Sequence, residues 1–439
     1  MSVEWSTSAR FDRVTRVDGP VVSAADDFVG KVALQDLPSG ATIYYRCRFD
    51  GAPWTSGSFG TAPSDPRDVL LAWSADTNGQ GWGIDPARGG MPAYGALAAR
   101  KPDLFIHCGD AIYADNPIPA RLEVSDGTIW NNVVDPSKSH LAQTLEDFRG
   151  AHRYPRACAQ VRELSASVAL LYVWDDHEVR NDWYPGEILD DPRYTEKRID
   201  VLARHARRAM YEYTPTLRDP AAPMYRVMAW GPLVDVFLLD GRSYRSPNEP
   251  APAKGGLLGE AQATWLVDAL ARSTAVWKII ACDMPIGLRC ADPGKTVPII
   301  YDGWGNEPGP AKEREVELAG ILSALRARKV KNVLWITADV HYAAAHHYDP
   351  SRAVFKDFDP FWELVAGPMH ASAFPRKPID DTFGPEVAWS SAGWDTWGSP
   401  ATGQQHFGLL RVDGKTRALT VTFVDARGSD LHRFTIPAA

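Results

Sequence analysis

Four short segments set oxygen or nitrogen donors just where an apolar run ends. They are residues 73–78 (Trp-Ser-Ala-Asp-Thr-Asn), 107–113 (His-Cys-Gly-Asp-Ala-Ile-Tyr), 174–178 (Trp-Asp-Asp-His-Glu) and 337–341 (Thr-Ala-Asp-Val-His). Each run is too short for most helices, so each segment is expected at a strand end. Strand-end loops hold ligands in α/β folds, because the backbone is rigid there and side chains reach solvent. Singly, the segments say little. Asp76 in a Gly-rich loop can cap the next turn, and Gly109-Asp110 is a common turn pair. The run Asp175-Asp176-His177-Glu178 is more demanding, since three acids around one histidine repel each other without a cation. Asp339 and His341 are spaced by two, so a persisting strand would put both on one face, able to chelate one ion.

Together the segments meet the needs of two-metal phosphoester hydrolysis. One carboxylate bridges two ions about 3.5–4 Å apart, other donors fix each ion, and a bridging water attacks phosphorus as hydroxide. A nearby histidine stabilises charge or protonates the leaving oxygen. Asp110 fits the bridge; Asp76, Tyr113, Asp176, Asp339 and His341 fit the other ligands; His177 fits the outer acid. Other constellations fail. The stretch Asp292–Thr296 ends like a phosphate-binding loop, but Arg289 stands where its first glycine must be. His177-Glu178 has Asn181, not histidine, at the zinc-protease spacing, and there is no Gly-x-Ser-x-Gly elbow. His346-His347 could be a further ligand pair but is expected as ordinary loop histidines. Arg149 and Arg245 could grip phosphate or form structural salt bridges. Trp82, Trp183, Trp304, Trp394 and Trp397 lie in Gly/Pro-rich loops, where they could wall a pocket or pack the loops.

The elements that must position these residues run in three stretches. Residues 1–65 read as β-rich, with strands at Val29–Leu34 and Ala41–Phe49, and look like part of a small sandwich, shorter than the usual ~100 residues. From residue 66 strands alternate with helices. Strands are expected at Val69–Trp73, Leu104–Cys108, Val168–Trp174, Leu233–Leu239, Trp277–Cys282 and Val333–Thr337. Helices are expected at Met91–Arg100, from Leu141 to Leu164, and at Pro192–Tyr213, Gly259–Ser273 and Ala311–Arg328, the last with an apolar stripe through Val316 and Leu318. Strands return at Phe361–Ala366, Phe407–Val412, Ala418–Asp425 and His432–Ile436. The domains are thus 1–65 and 66–439, an α/β body with a β-rich end.

The 439 residues are 45% hydrophobic and 23% charged, an ordinary globular composition. A net charge of −8 argues against nucleic-acid partners and anionic membranes. No apolar run is long enough to span a bilayer, and the polar start lacks a signal-peptide core, so the chain as given is expected in the cytoplasm. Export behind a leader absent from this chain stays open. Five scattered cysteines without a CxxC suit a reducing compartment, with Cys108 a small apolar strand residue.

The segments resemble the calcineurin-like metallophosphoesterases and, within them, the alkaline phosphatase D family. The resemblance rests on residues 109–113 (Gly-Asp-Ala-Ile-Tyr), 174–182 (Trp-Asp-Asp-His-Glu-Val-Arg-Asn-Asp) and 338–342 (Ala-Asp-Val-His-Tyr), with support at 239–245, 259–266 and 363–368, and runs from about residue 25 to the end. It implies a two-sheet α/β sandwich flanked by helices, after a small β-sandwich-like unit. It implies a dinuclear centre bridged by Asp110, with Asp339 and His341 on different ions and Tyr113 bound as phenolate. A phenol titrates near 10, so that role asks for a strong Lewis acid such as iron(III). Asn78, His177 and Arg245 would meet a small phosphoester substrate. Three positions depart from the superfamily pattern. Asp76-Thr77-Asn78 replaces Asp-x-His, Asp176 stands for the Asn of Gly-Asn-His-Glu, and Asp339 replaces one histidine of the last motif. All shift the donors toward oxygen, which favours iron(III), calcium, manganese or magnesium over zinc. The rival readings are a phosphotriesterase or phospholipase D type hydrolase on the same scaffold, and a non-catalytic phosphate- or metal-binding module.

Overall fold

In the computed structural model, which describes residues 1–217, 219, 221–248, 255–290 and 301–439, the chain opens with an antiparallel sheet in the order β2-β1-β3-β4. Its strands are β1 (Ser2–Ser6), β2 (Thr15–Asp18), β3 (Thr42–Arg48) and β4 (Thr55–Gly60). The stretch Asp292–Thr296 lies outside the described residues.

Two larger sheets follow. Their strands and helices come in the order β5 (Val69–Ser74), α1 (Pro92–Ala99), β6 (Leu104–Cys108), a short hairpin of β7 (Arg121–Glu123) and β8 (Ile129–Asn131), α2 (Leu145–Arg153), α3 (Ala159–Ser167), β9 (Ala169–Val173) and α4 (Ile199–Tyr213). Then come β10 (Arg226–Trp230), β11 (Val234–Leu238), α5 (Gly259–Arg272), β12 (Trp277–Ala281), α6 (Arg314–Ala327), β13 (Val333–Thr337), β14 (Ala344–Tyr348), β15 (Phe361–Val365), β16 (Pro385–Ser390), β17 (His406–Val412), β18 (Leu419–Asp425) and β19 (Asp430–Ile436). One sheet runs β19-β18-β17-β5-β6-β9, with β5, β6 and β9 parallel. The other runs β10-β11-β12-β13-β15-β14-β16, with β11, β12, β13 and β15 parallel.

Side-chain alternation glues the sheets face to face. Val69, Leu71 and Trp73 of β5 share one apolar layer with Ile279 of β12 and Leu334 and Ile336 of β13. The alternate residues of the same strands point the other way. Ala72 and Phe105 meet Leu97 and Leu164 of α1 and α3, while Ile280 and Trp335 meet Leu266 and Leu322 of α5 and α6. Strands with a period of two bury both faces only when covered on both sides. The result is the two-sheet sandwich with outer helices that the resemblance implied. The parallel strands β5, β6, β9 and β13 therefore end at defined points, and all four donor segments begin there.

Several local expectations need correction. Val29–Leu34 forms no strand, although β-branched residues suggested one. β1, β10, β14 and β16 escape sequence patterning because they are short, polar or, in β16, begin at proline; only sheet neighbours hold them. The helix expected from Leu141 starts at Leu145. Thr144 Oγ1 accepts from Asp147 N at 3.3 Å while Asp147 accepts from Thr144 N at 2.8 Å, a reciprocal cap that sets the start. The basic helix starts at Ile199, not Pro192, and Val316 of α6 faces solvent. His346-His347 is not loop but β14, and buried His346 bonds Glu363 at 3.0 Å.

Candidate metal centre

The strand ends deliver their acids through unusual backbone. Asp76, Asp110, Asp339 and His341 all have positive φ, at 63°, 53°, 64° and 60°. L-residues enter this region at a cost, and Asp and Asn tolerate it best. β13 thus ends at Thr337, and Asp339 and His341 do not continue it, so the shared strand face expected for the pair is absent. The left-handed turns aim them apart instead.

Three clusters of ligand-bearing side chains overlap. Ligand atoms of Asp110, Asp176 and His177 lie within 4.8 Å of one another, as do those of Asp175, Asp176 and Asp339, and those of Asp176, Asp182 and Asp302. Asp176 is common to all three. Beside them, Tyr113 Oη lies 2.9 Å from His341 Nε2, and Asp76 Oδ1 lies 3.6 Å from the same nitrogen. His341 therefore joins Asp76 and Tyr113, while Asp339 joins Asp175 and Asp176.

Backbone clamps hold this arrangement. Glu178 accepts from Asp110 N at 3.0 Å, Ala111 N at 2.6 Å and Asp175 N at 2.7 Å, tying two strand-end loops together. Close approach of those loops demands Gly109. Its φ is 108°, and a Cβ there would lie 2.5 Å from Asp175 Cβ. Gly367 makes the same kind of room, since its Cβ would lie 2.3 Å from Asp76 Oδ2. Buried Lys138 donates to the carbonyls of Tyr113 and Asn116 at 2.5 and 2.9 Å, pinning the loop between them.

The electrostatics fit a cation. Both Asp76 carboxylate oxygens are buried with no hydrogen-bond partner. Burial and then Asp339 push its carboxyl well above the usual range. Burial and then Asp176 do the same to Asp110. Burial, with Asp176 next, carries Asp339 up to about 7. Burial and the Asp110 charge push the Tyr113 phenol up as well. Burial brings His341 down to about 3, so it is neutral. Its Nδ1–H is committed to the Ser372 carbonyl, which leaves the Nε2 lone pair for a metal. Unpaired acids under such mutual repulsion are stable as anions only beside positive charge. The donor set suits metal ions.

His177 has a partner that sequence reasoning missed. Its Nδ1 lies 2.6 Å from Asp115 Oδ1, and Asp115 Oδ2 accepts from Asn181 N at 2.9 Å. Tyr113 stacks on the imidazole at 4.2 Å. Burial opposes charge on His177, but Asp115 and Asp176 outweigh it and raise its pKa to about 10. Asp115 sits one residue before Asn116-Pro117 in a stretch that reads as loop, so only the fold reveals the pairing.

The other expected residues lie further out. Asn78 is buried with an unpartnered Oδ1, and its N–H donates to His370 O at 2.7 Å. Arg245 pairs with Asp302 at 2.7 Å, the salt-bridge alternative held open above. Arg149 likewise pairs with Glu212 at 2.7 Å. Arg242, fully buried, joins Asp175 and Asp302, each at 2.6 Å, and so carries positive charge to the edge of the acidic cluster.

Residues 71–423 match the family model described as PhoD-like phosphatase. Alkaline phosphatase D of Bacillus subtilis (strain 168) is 30% identical over 349 residues, covering 74% of this chain and 56% of that protein. The chain thus spans little more than half the length of this curated relative. A solved structure of PhoD superposes with a TM-score of 0.74 at 20% identity, covering 100% of this chain and 83% of that one. Purple acid phosphatase PPD1 from yellow lupin seeds superposes with a TM-score of 0.59 at 12% identity, covering 99% and 69%. At these identities both superpositions speak for the fold.

Proposed function

The chain belongs to the PhoD-like phosphatase family, and from that premise we propose that it is a metal-dependent hydrolase of small phosphomonoesters or phosphodiesters. The observation that carries the reading is the buried Asp76 carboxylate, unpartnered at both oxygens, beside the Tyr113–His341 pair. Asp76, Tyr113 and His341 would hold one ion, and Asp176 and Asp339 a second, with Asp110 between them. Iron(III) is the choice for the tyrosine side, and calcium, manganese or magnesium for the oxygen-rich side. Bound there, the ions would supply Lewis acidity and lower the pKa of a water enough to make it a nucleophile at neutral pH.

The protein's own groups do the rest. His177, with Nδ1–H given to Asp115, keeps Nε2 for the ester's leaving oxygen and carries the proton that oxygen needs. Glu178 keeps the Asp110 and Asp175 loops at fixed separation, so the carboxylates meet the substrate without reorganisation. Asn78 remains a substrate contact in this reading; Arg245 acts on the site through Asp302. Residues 1–65 form an appended β unit and 66–439 the catalytic body. The five unpaired cysteines suit a reducing compartment such as the cytoplasm.

Elemental analysis of the purified protein, with turnover of nitrophenyl phosphate and bis-nitrophenyl phosphate, tests the reading. Two equivalents of metal, one of them iron with a violet tyrosinate absorption, are expected. Asp110→Ala and Asp339→Ala should lose metal and turnover together. His177→Ala should keep the metal and lose about 10²–10⁴-fold in rate. Full activity after thorough chelation, or in either aspartate variant, sinks the proposal.

A further inference from the structure

Trp394 and Trp397 are 61% and 64% exposed, whereas Trp82, Trp183 and Trp304, also in Gly/Pro-rich loops, are 9%, 2% and 0% exposed. The fold has therefore used three of the five as packing and left two in water. Leaving two large rings exposed on one short loop forgoes hydrophobic stabilisation and marks a contact surface.

That loop is not adrift. Residues 372–377 form a strap against His341 of the candidate centre, and the tryptophan loop is bound to it. Ala373 and Gly398 exchange both backbone hydrogen bonds, at 2.8 and 3.2 Å, and Arg376 N donates to Gly393 O at 2.9 Å. The strap itself is fixed to the site. Phe374 stacks on His341 at 4.2 Å with only 8° between planes, and Ser372 N donates to Gln80 at 2.9 Å. Trp397 then meets Phe374 edge-on at 5.8 Å. An aromatic run His341–Phe374–Trp397 thus leads from a candidate metal ligand to solvent. Alongside it, the Arg376 guanidinium lies 5.1 Å from the Trp394 ring centroid.

Resting on the hydrolase reading above, we infer that Trp397 and Trp394 set substrate preference, stacking a planar ring carried by the leaving group of the phosphoester. A phosphoryl group at the carboxylates would place the remainder of the substrate along this run. A nucleobase or aryl ring finds two largely exposed indoles there, Trp397 and, on the side away from Arg376, Trp394, and base–indole stacking tolerates any planar ring. Arg376 adds positive charge at the same wall, which favours an electron-rich or anionic ring system. An aliphatic leaving group leaves both indoles unused.

The test compares adenosine 5′-phosphate with ribose 5-phosphate, and the methyl diester of each, on the metal-loaded full chain. Both members of a pair expel the same kind of primary alcohol, so their ratio of kcat/KM reports the ring. The wild-type ratio is expected to favour the adenosine compound by about tenfold or more. Trp397→Ala should bring the ratio toward one, Trp394→Ala should lower it, and Trp397→Phe should keep most of it because a ring remains. Metal content of each variant, measured alongside, should match wild type. If the wild type turns over both members of a pair with equal kcat/KM, or if neither alanine variant moves the ratio, the wall has no such role while the hydrolase reading stands. If metal-loaded wild type turns over none of the four compounds, both readings fall.

Discussion

Asp115 Oδ1 sits 2.6 Å from His177 Nδ1, inside a shell where Asp110 and Asp176 also face that histidine. The pair makes His177 a cation over most of the neutral range in the metal-free protein. Its folded pKa of about 10 exceeds the usual value near 6.5. The stabilisation this brings is complete below about 6.5 and is lost as pH rises through about 10. Asp115→Asn should return the imidazole toward its ordinary titration, as read by NMR of the metal-free protein. In the metal-loaded enzyme the same variant should lose about 10–10²-fold in kcat and shift the alkaline limb of the pH profile to lower pH. An unchanged imidazole titration in the variant would show that Asp115 does not govern His177.

Metal removal should destabilise the protein in a pH-dependent way. Burial and neighbouring carboxylates hold Asp339 at about 7 and push Asp76 and Asp110 up as well. The metal-free folded state therefore retains protons that the unfolded chain releases above pH ~4. Its stability falls as pH rises from about 4 through about 7. Melting curves with and without chelator should differ by about 5 °C or more at pH 8, and by much less at pH 5. A difference that shrinks with rising pH would contradict the clustered-acid picture.

Glu315 offers a control away from the acidic cluster. It is buried with an unpartnered Oε1, and burial followed by the Asp380 charge raises its pKa to about 9. A raised carboxyl favours the folded state fully only below its ordinary pKa of about 4.5. The contribution declines as pH climbs through about 9. Glu315→Gln should thus be more stable than wild type by about 1–2 kcal/mol at pH 8 and equal to it at pH 4. Denaturant midpoints at the two pH values measure this.

Gly109→Ala tests how tightly two donor loops approach. The substitution places a methyl 2.5 Å from Asp175 Cβ at a φ of 108°. A loss of about 2–4 kcal/mol in urea unfolding is expected, with weakened metal retention. Gly89 has φ 88° but open space at its Cβ, so Gly89→Ala should lose only about 1 kcal/mol.

The donor residues and their strand-end placement were legible in the chain because both signals are local. Apolar runs at Leu104–Cys108 and Val333–Thr337 end where polar donors begin, and a buried parallel strand cannot carry unpaired acids. Helices α5 and α6 were legible for the same reason, through apolar residues at helical spacing. β14 and β16 were not, because Ala344–Tyr348 and Pro385–Ser390 have weak intrinsic preference and are strands only by virtue of their neighbours.

Within the site, the amino-acid order determined which acids, tyrosine and histidines would gather, since type and spacing are written along the chain. How they divide among the groups was decided by the tertiary structure. The left-handed turns at Asp339 and His341 send two near neighbours to different partners, and no side-chain period encodes that. Asp115 on His177, Arg245 on Asp302 and the exposure of Trp394 and Trp397 are likewise decided by contacts between distant segments. Such contacts depend on where packed sheets and loops bring the backbone, a property of the whole fold rather than of any stretch of sequence.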